Sequence, residues 1–439
     1  MRLRLSAHRC STANLRAAYP FLSAGSLGGD GVYIGADRLG GSFSYDPWEL
    51  YPDRRRGYAG VLTGPNMLVA GQVGRRKSTL VKTYCWRQHV FGRKLAILDP
   101  KGEYGPLAAA MGTESIKIAP GRGVRLNPLD PGPGAAELGE REVRRRQLVL
   151  LQALASASLA RPLTSEERTA CDLSLRAVNQ GANKVATIVE VVDALLSPTA
   201  KVATSVHTTP AKLAQASREV ALELRRLCEG DLQGMFDGPT NVDIDWDGPA
   251  VVLDLLEVFN SDALGLLMTC ASSWLQSAIA GPGGGQRIVV VEEAWAVLAN
   301  LGVARWLQAL AKLARQWGVQ LVVVIHRLGD LLAAGDDGSQ QTRLAQGLLA
   351  DTETRVIYGQ PPGEIGRAVE LLGLSETEAN LLPGLEPSAG LWKVGPHHTH
   401  LVDHVVGEDE WPIIDTDARM RRAEEAVPAT ATAAEAVLA

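Results

Sequence analysis

The chain is poor in cysteine, has no long apolar run and carries no surplus of positive charge. Its five cysteines, Cys10, Cys85, Cys171, Cys228 and Cys270, are far apart and form no CxxC pair. That spacing disfavours a zinc site or a disulfide framework and suits a reducing cytosol. The longest apolar stretch, 251–280, is interrupted by Asp254, Glu257 and Asp262, so no transmembrane helix is read. Arg2 and Arg4 are followed by no apolar segment of the kind a secretory signal needs. Lys plus Arg number 44 against 49 Asp plus Glu, a formal net charge of −5. A uniformly basic nucleic-acid coat is thereby excluded, but a local basic patch is not.

What remains is ordinary globular composition, 46% hydrophobic and 21% charged over 439 residues. This is enough chain for about two to three domains at the usual domain size. Glycine-rich turns around short strands are expected over 25–42, followed by strand-like runs at 42–45 and 66–70. Residues 53–57 (Asp-Arg-Arg-Arg-Gly) form a turn with three solvated arginines. From residue 66 the order is strand, Gly-rich loop, helix (78–90), strand (94–99). The continuous apolar character of the strands fits burial on both faces of a parallel sheet. Residues 135–239 are rich in Ala, Leu, Arg and Glu and read as an all-helical insert. Sheet patterning resumes at 251–255, 287–291 and 321–325. Between the last two strands, Val303, Trp306, Leu307, Leu310, Leu313 and Trp317 recur at helical spacing. The division expected is a β-rich lead-in (1–60), an α/β domain (61–134 and 240–415), the insert (135–239) and a flexible Ala-rich tail (416–439).

Four segments carry chemistry. Gly71-Gln72-Val73-Gly74-Arg75-Arg76-Lys77-Ser78-Thr79 lies between a strand and a helix. A phosphate-binding loop must sit there, where backbone amides, a helix N-terminus and a lysine converge on an anion. The usual pattern is GxxxxGK[ST], with the hydroxyl on Mg²⁺; here Arg76 replaces the second glycine. The alternative is a coincidental Gly/Lys turn. The second segment, Ile288 to Trp295, places Glu292 and Glu293 after an apolar strand. In such a pair the first acid holds Mg²⁺ and the second polarises the attacking water; the first is normally Asp. Third, His326 ends the strand 321–325, where it could reach the γ-phosphate or the water. Fourth, Asp99-Pro100-Lys101-Gly102-Glu103-Tyr104 also follows a strand, but alone reads only as a charged turn. The cluster His397, His398, His400 and His404 lacks supporting ligand spacing and reads as a polar strand. Arg141, Arg144, Arg145 and Arg146 read as a solvated helix face, with anionic-partner binding as the lesser alternative.

These segments, in this order, resemble the conjugation and type IV secretion ATPases of the FtsK–HerA superfamily. Asn127-Pro128-Leu129, the stretch 227–238 (LCEGDLQGMFDG), the Glu292-Glu293-Ala294-Trp295 segment and 350–392 add to the likeness, which spans 60–405. The departures are Arg76 for Gly, Glu292 for Asp and His326 where Gln is frequent. The resemblance implies a RecA-like P-loop NTPase, a mainly parallel sheet flanked by helices, using ATP and Mg²⁺. It implies a homo-oligomeric ring, a hexamer by expectation, with a neighbour's arginine completing each site; Arg315 and Arg355 are the candidates. Lys77 would bind the β/γ-phosphates, Ser78 and Glu292 the Mg²⁺, and Glu293 would orient water. The expected setting is the cytoplasm, with a peripheral position at the cytoplasmic membrane as the narrower expectation, beside secretion or conjugation components and possible DNA. Alternatives are a catalytically weakened nucleotide-binding component and a HerA-like DNA translocase.

Overall fold

The computed structural model describes residues 27–415 apart from 28, 54–57, 59, 133–138, 160, 180–184, 231, 260–262, 281–284, 299–300 and 330–338. The strands are β1 (Val32–Asp37), β2 (Ser42–Tyr45), β3 (Met67–Ala70), β4 (Lys94–Asp99), β5 (Ser115–Lys117), β6 (Ala250–Asp254), β7 (Arg287–Val291), β8 (Val319–Ile325), β9 (Thr354–Ile357), β10 (Ala389–Val394) and β11 (His398–His404). They form one 11-stranded sheet in the order β2-β1-β11-β10-β9-β3-β8-β7-β4-β6-β5. Every pairing from β9 to β5 is parallel. Every pairing from β2 to β9 is antiparallel. The lead-in strands β1 and β2 therefore extend the same sheet, docked through β11.

The parallel strands are covered on both faces, as their unbroken apolar sequences require. Side chains alternate across a strand. Leu68, Ala70, Ala96 and Leu98 enter one apolar core; Met67, Val69, Leu95 and Ile97 enter the other. The second core receives α1 (Lys77–Val90), α2 (Gly105–Ala110) and the aromatic residues Phe43, Tyr45 and Trp392.

The first core is shared with α3 (Glu140–Ser158), α4 (Ser165–Val178), α5 (Ile188–Leu196), α6 (Ala200–Ser205) and α7 (Pro210–Glu229). Local signals start these helices. Thr164 and Thr187 form capping boxes with Glu167 and Glu190. Thr199 and Thr209 accept the N–H groups of Val202 and Lys212. On α3, Arg145 and Arg146 pair with Glu142, so part of that arginine face is neutralised within its own helix.

The remaining helices are α8 (Ala263–Ala280), α9 (Ala294–Leu298), α10 (Leu301–Trp317), α11 (Gln340–Ala350), α12 (Pro362–Leu372), α13 (Glu376–Leu381) and α14 (Trp411–Ile414). α10 buries Val303, Leu307, Leu310, Ala311 and Ala314, whereas Leu313 is exposed. The apolar stripe read from the sequence was one residue too wide: Leu313 falls on its flank, and small Ala314 completes the face. The histidines of β11 make side-chain contacts: His400 Nδ1 lies 2.8 Å from Asp37 Oδ2, and His398 stacks on His400. The arginines at 54–56, the glycines at 281–284 and the tail at 416–439 lie outside the described residues.

Candidate functional site

β3, β8, β7 and β4 are consecutive in the sheet, and their C-terminal ends emerge on one edge. Ala70 pairs with Ile325, Val291 with Val323, and Leu98 with Val291. The residues that follow are Gly71, His326, Glu292 and the loop containing Lys101. Parallel topology thus brings all four sequence segments to the edge where ligands bind in open α/β sheets.

The loop after β3 turns sharply into α1. Gly71 has no room for a side chain, since a Cβ there would lie 2.5 Å from Tyr358 Cβ. Arg76 is the N-cap of α1 and adopts a left-handed conformation, φ 63° and ψ 29°, without a side-chain cap. This is the backbone geometry that favours glycine, so the missing glycine is replaced at the cost of local strain. The uncapped first-turn amides and the helix dipole remain available to an anion. Lys77 is 4% exposed, and its Nζ donates to the Gln72 carbonyl at 3.0 Å. Burial lowers its pKa to about 8, against the pull of Glu292. An ammonium held in so dry a place gains most from an incoming anion. Ser78 is half-buried and Thr79 buried, while Gln72, Val73 and Gly74 are exposed.

The side chains of both loop arginines reach beyond the loop. Arg75 donates to the Leu385 carbonyl at 2.8 Å. The Arg76 guanidinium sits 5.7 Å from the centre of the Trp411 ring, a cation–π arrangement.

The two acids after β7 have opposite environments. Glu292 is 2% exposed and accepts the Tyr104 hydroxyl at 2.6 Å. Burial pushes its carboxyl up to about 7. Glu293 follows in a left-handed conformation, φ 49°. Its Oε1 is in contact with both Lys101 Nζ and His326 Nε2, and its Oε2 accepts Trp295 Nε1 at 2.6 Å. Burial alone would raise its pKa, but the contacts with His326 and Lys101 hold it at about 2. Lys101 Nζ also lies 3.3 Å from His326 Nε2. Beneath the cluster, Asp99 is fully buried and accepts the amides of Lys101 (3.1 Å) and Tyr104 (2.9 Å).

A divalent cation suits this donor set. Among the described residues no cluster of three His, Cys, Asp or Glu could hold a metal alone. Mg²⁺ takes one or two protein oxygens and completes its shell with water and phosphate. The Ser78 hydroxyl and the buried Glu292 carboxyl are the oxygens at this edge that could hold such an ion.

Lys77, Ser78, Glu292, Glu293 and His326 thus come from one edge, as their sequence positions suggested. The candidate arginines lie elsewhere. Arg315 is exposed near the end of α10, ahead of β8. Arg355 is tied to its own chain, donating to the carbonyls of Leu372 (2.7 Å), Thr352 (3.2 Å) and Leu349 (3.4 Å). Sequence reasoning missed Lys101, Tyr104 and Trp295 as partners of the two acids. Their signal was present in the charged turn after β4 and the tryptophan after the acid pair, but the pairing across strands is a tertiary property.

The fold and this edge define the class: a RecA-like P-loop NTPase, with a mainly parallel sheet and helices on both faces. No protein-family model and no curated protein matches the chain. Among solved structures it is similar to VirB4 of Thermoanaerobacter pseudethanolicus, with a TM-score of 0.67 and 23% identity, covering 88% of this chain and 100% of that one. It is also similar to the plasmid coupling protein TrwB in complex with ADP and Mg²⁺, with a TM-score of 0.53 and 14% identity, covering 80% of this chain and 88% of TrwB. TrwB in complex with the ATP analogue ADPNP gives a TM-score of 0.54 at 14% identity, covering 79% and 86%.

Proposed function

We propose that this chain is an ATP-binding, ATP-hydrolysing motor that powers conjugative DNA transfer or type IV secretion from the cytoplasmic side of the membrane. The observation that carries this is the convergence of Lys77, Ser78, Glu292 and Glu293 on one sheet edge, in the fold shared with VirB4 and TrwB. Lys77 and the first-turn amides of α1 bind the β- and γ-phosphates. Ser78 and Glu292 would hold Mg²⁺, whose charge, when bound, would offset that of the phosphates. Glu293 orients a water, whose oxygen bonds to the γ-phosphorus as the bond to the β,γ-bridging oxygen breaks, giving ADP and inorganic phosphate. We further propose that the chain works as a homo-oligomeric ring. Arg315, exposed at the strand ends opposite the site, suits the trans role better than Arg355, whose guanidinium is already engaged. Residues 135–239 form the helical insert in this reading, and the substrate is DNA or protein.

Lys77→Ala is expected to lower both nucleotide affinity and phosphate release about a hundredfold. Phosphate release equal to that of the wild type would contradict the ATPase reading. A second reading, a nucleotide-binding assembly component with little turnover, is favoured by the strained Arg76 and by the fully engaged Glu293 carboxylate.

A further inference from the structure

In the arrangement seen, Glu293 Oε1 is held by both Lys101 and His326, and Oε2 accepts Trp295, so little of the carboxylate is left for a water. Freeing Oε1 for a water requires Lys101 or His326 to leave, and the geometry distinguishes them. Trp295 is two residues from Glu293 on the same turn. His326 is fixed at the tip of β8. Lys101 is a compact charge on a flexible stem, carried by a well-anchored loop. Asp99 accepts that loop's amides, and buried Lys82 donates to the Glu103 carbonyl at 2.7 Å. Gly102 there has φ 65°, and a Cβ on it would lie 3.1 Å from Asp254 Oδ1.

The direction of the Lys101 side chain is informative. β4 is next to β7 but not to β8. To lie 3.3 Å from His326 Nε2, the amine must cross the end of β7 toward the phosphate-binding loop on β3. It comes near enough to Lys77 for the two ammonium groups to repel each other. An anion arriving at Lys77 therefore meets a second cation, whose only carboxylate partner among its hydrogen bonds and ion pairs here is Glu293.

We propose that Lys101 is a second phosphate-binding cation and a catalytic residue of this site. When a nucleoside triphosphate binds, the Lys101 ammonium leaves Glu293 for the γ-phosphate, and Glu293 is released to orient the attacking water. This rests on the ATPase reading above and adds to it a residue that acts on the third phosphate alone. A terminal phosphate carries more charge than one carboxylate, which favours the exchange. Charge developing on the γ-phosphoryl oxygens then faces a preorganised cation. The departure of Lys101 also vacates an acceptor position on Glu293 Oε1 that a water can take.

The test is equilibrium binding of ADP and of a non-hydrolysable ATP analogue, both with Mg²⁺, beside phosphate release, on the full chain. Lys101→Ala is expected to keep ADP affinity within about twofold, which also shows that the variant is folded, and to lose about tenfold on the analogue. Its phosphate release should fall about a hundredfold. Lys101→Arg should restore most of the analogue affinity. Unchanged analogue affinity in Lys101→Ala, or faster phosphate release, would overturn the proposal and leave Lys101 as a restraint on Glu293 only. Wild-type protein that binds neither ADP nor the analogue would overturn the ATPase reading itself, and this inference with it.

Discussion

Glu167 in the helical insert and Glu292 at the strand edge are both buried, yet their surroundings act in opposite directions. Glu167 is the third residue of a capped helix, with two bonds from Arg161 and one from the Thr164 amide. The Arg161 hydrogen bonds and the Thr164 amide bring its pKa down to about 2. The Glu292 carboxyl accepts a neutral hydroxyl, that of Tyr104, and burial raises its pKa to about 7. In the insert, Glu167 is satisfied by a guanidinium and an amide close to it in the chain. The strand edge leaves the Glu292 charge without a cationic hydrogen-bond partner, and it holds Arg76 and Glu293 at positive φ, as the insert holds His207. Such departures cluster where a protein binds and reacts. In the proposed function, the raised carboxyl of Glu292 and the strained residues at the edge meet a charged ligand.

Two substitutions sharpen this contrast. The larger effect on stability is expected for Glu167→Gln, which keeps a capping-box acceptor but loses the charge that Arg161 pairs with, about 1 kcal/mol near neutral pH. Folded Glu167 stays ionised where the unfolded chain already takes up a proton, so the wild type loses this stability as pH falls from 4.5 toward about 2. Denaturant unfolding at several pH values should show the two proteins converging in acid, with ATP turnover per folded molecule unchanged. The smaller effect is expected for Arg76→Gly. Relief of the left-handed strain and loss of the Trp411 contact nearly cancel, leaving stability within about 1 kcal/mol. Phosphate release should rise severalfold, because the loop then closes on phosphate without strain. No rise would count against the low-turnover reading.

Much of the fold was legible because its signals are local. Apolar strands of four to seven residues, Thr caps ahead of helices and the Gly-rich loop before α1 each declare themselves in sequence. The order of site segments was legible too, since in a parallel sheet every strand delivers its C-terminal residue to the same edge. What was not legible depends on contacts across strands. Nothing in the sequence near Lys101 says that its amine crosses β7 to meet Glu293 and His326. Nothing near Arg355 says that three carbonyls of its own chain take up its guanidinium. The docking of β1 onto β11, with Gly35 opposite His404, joins the two ends of the described chain and has no local signature. Leu313 was misplaced for a related reason: periodicity gives a stripe, and the packing of Ala314 decides its edge.

The central claim is that the strand edge is a hydrolytic site in which Glu293 acts on water and not on the bound nucleotide. The most direct test is to measure nucleotide affinity and phosphate release together for wild type and Glu293→Gln. The account predicts affinity for Mg²⁺-ATP equal to or above that of the wild type, with phosphate release lowered at least about a hundredfold. Release at the wild-type rate with binding intact would contradict it.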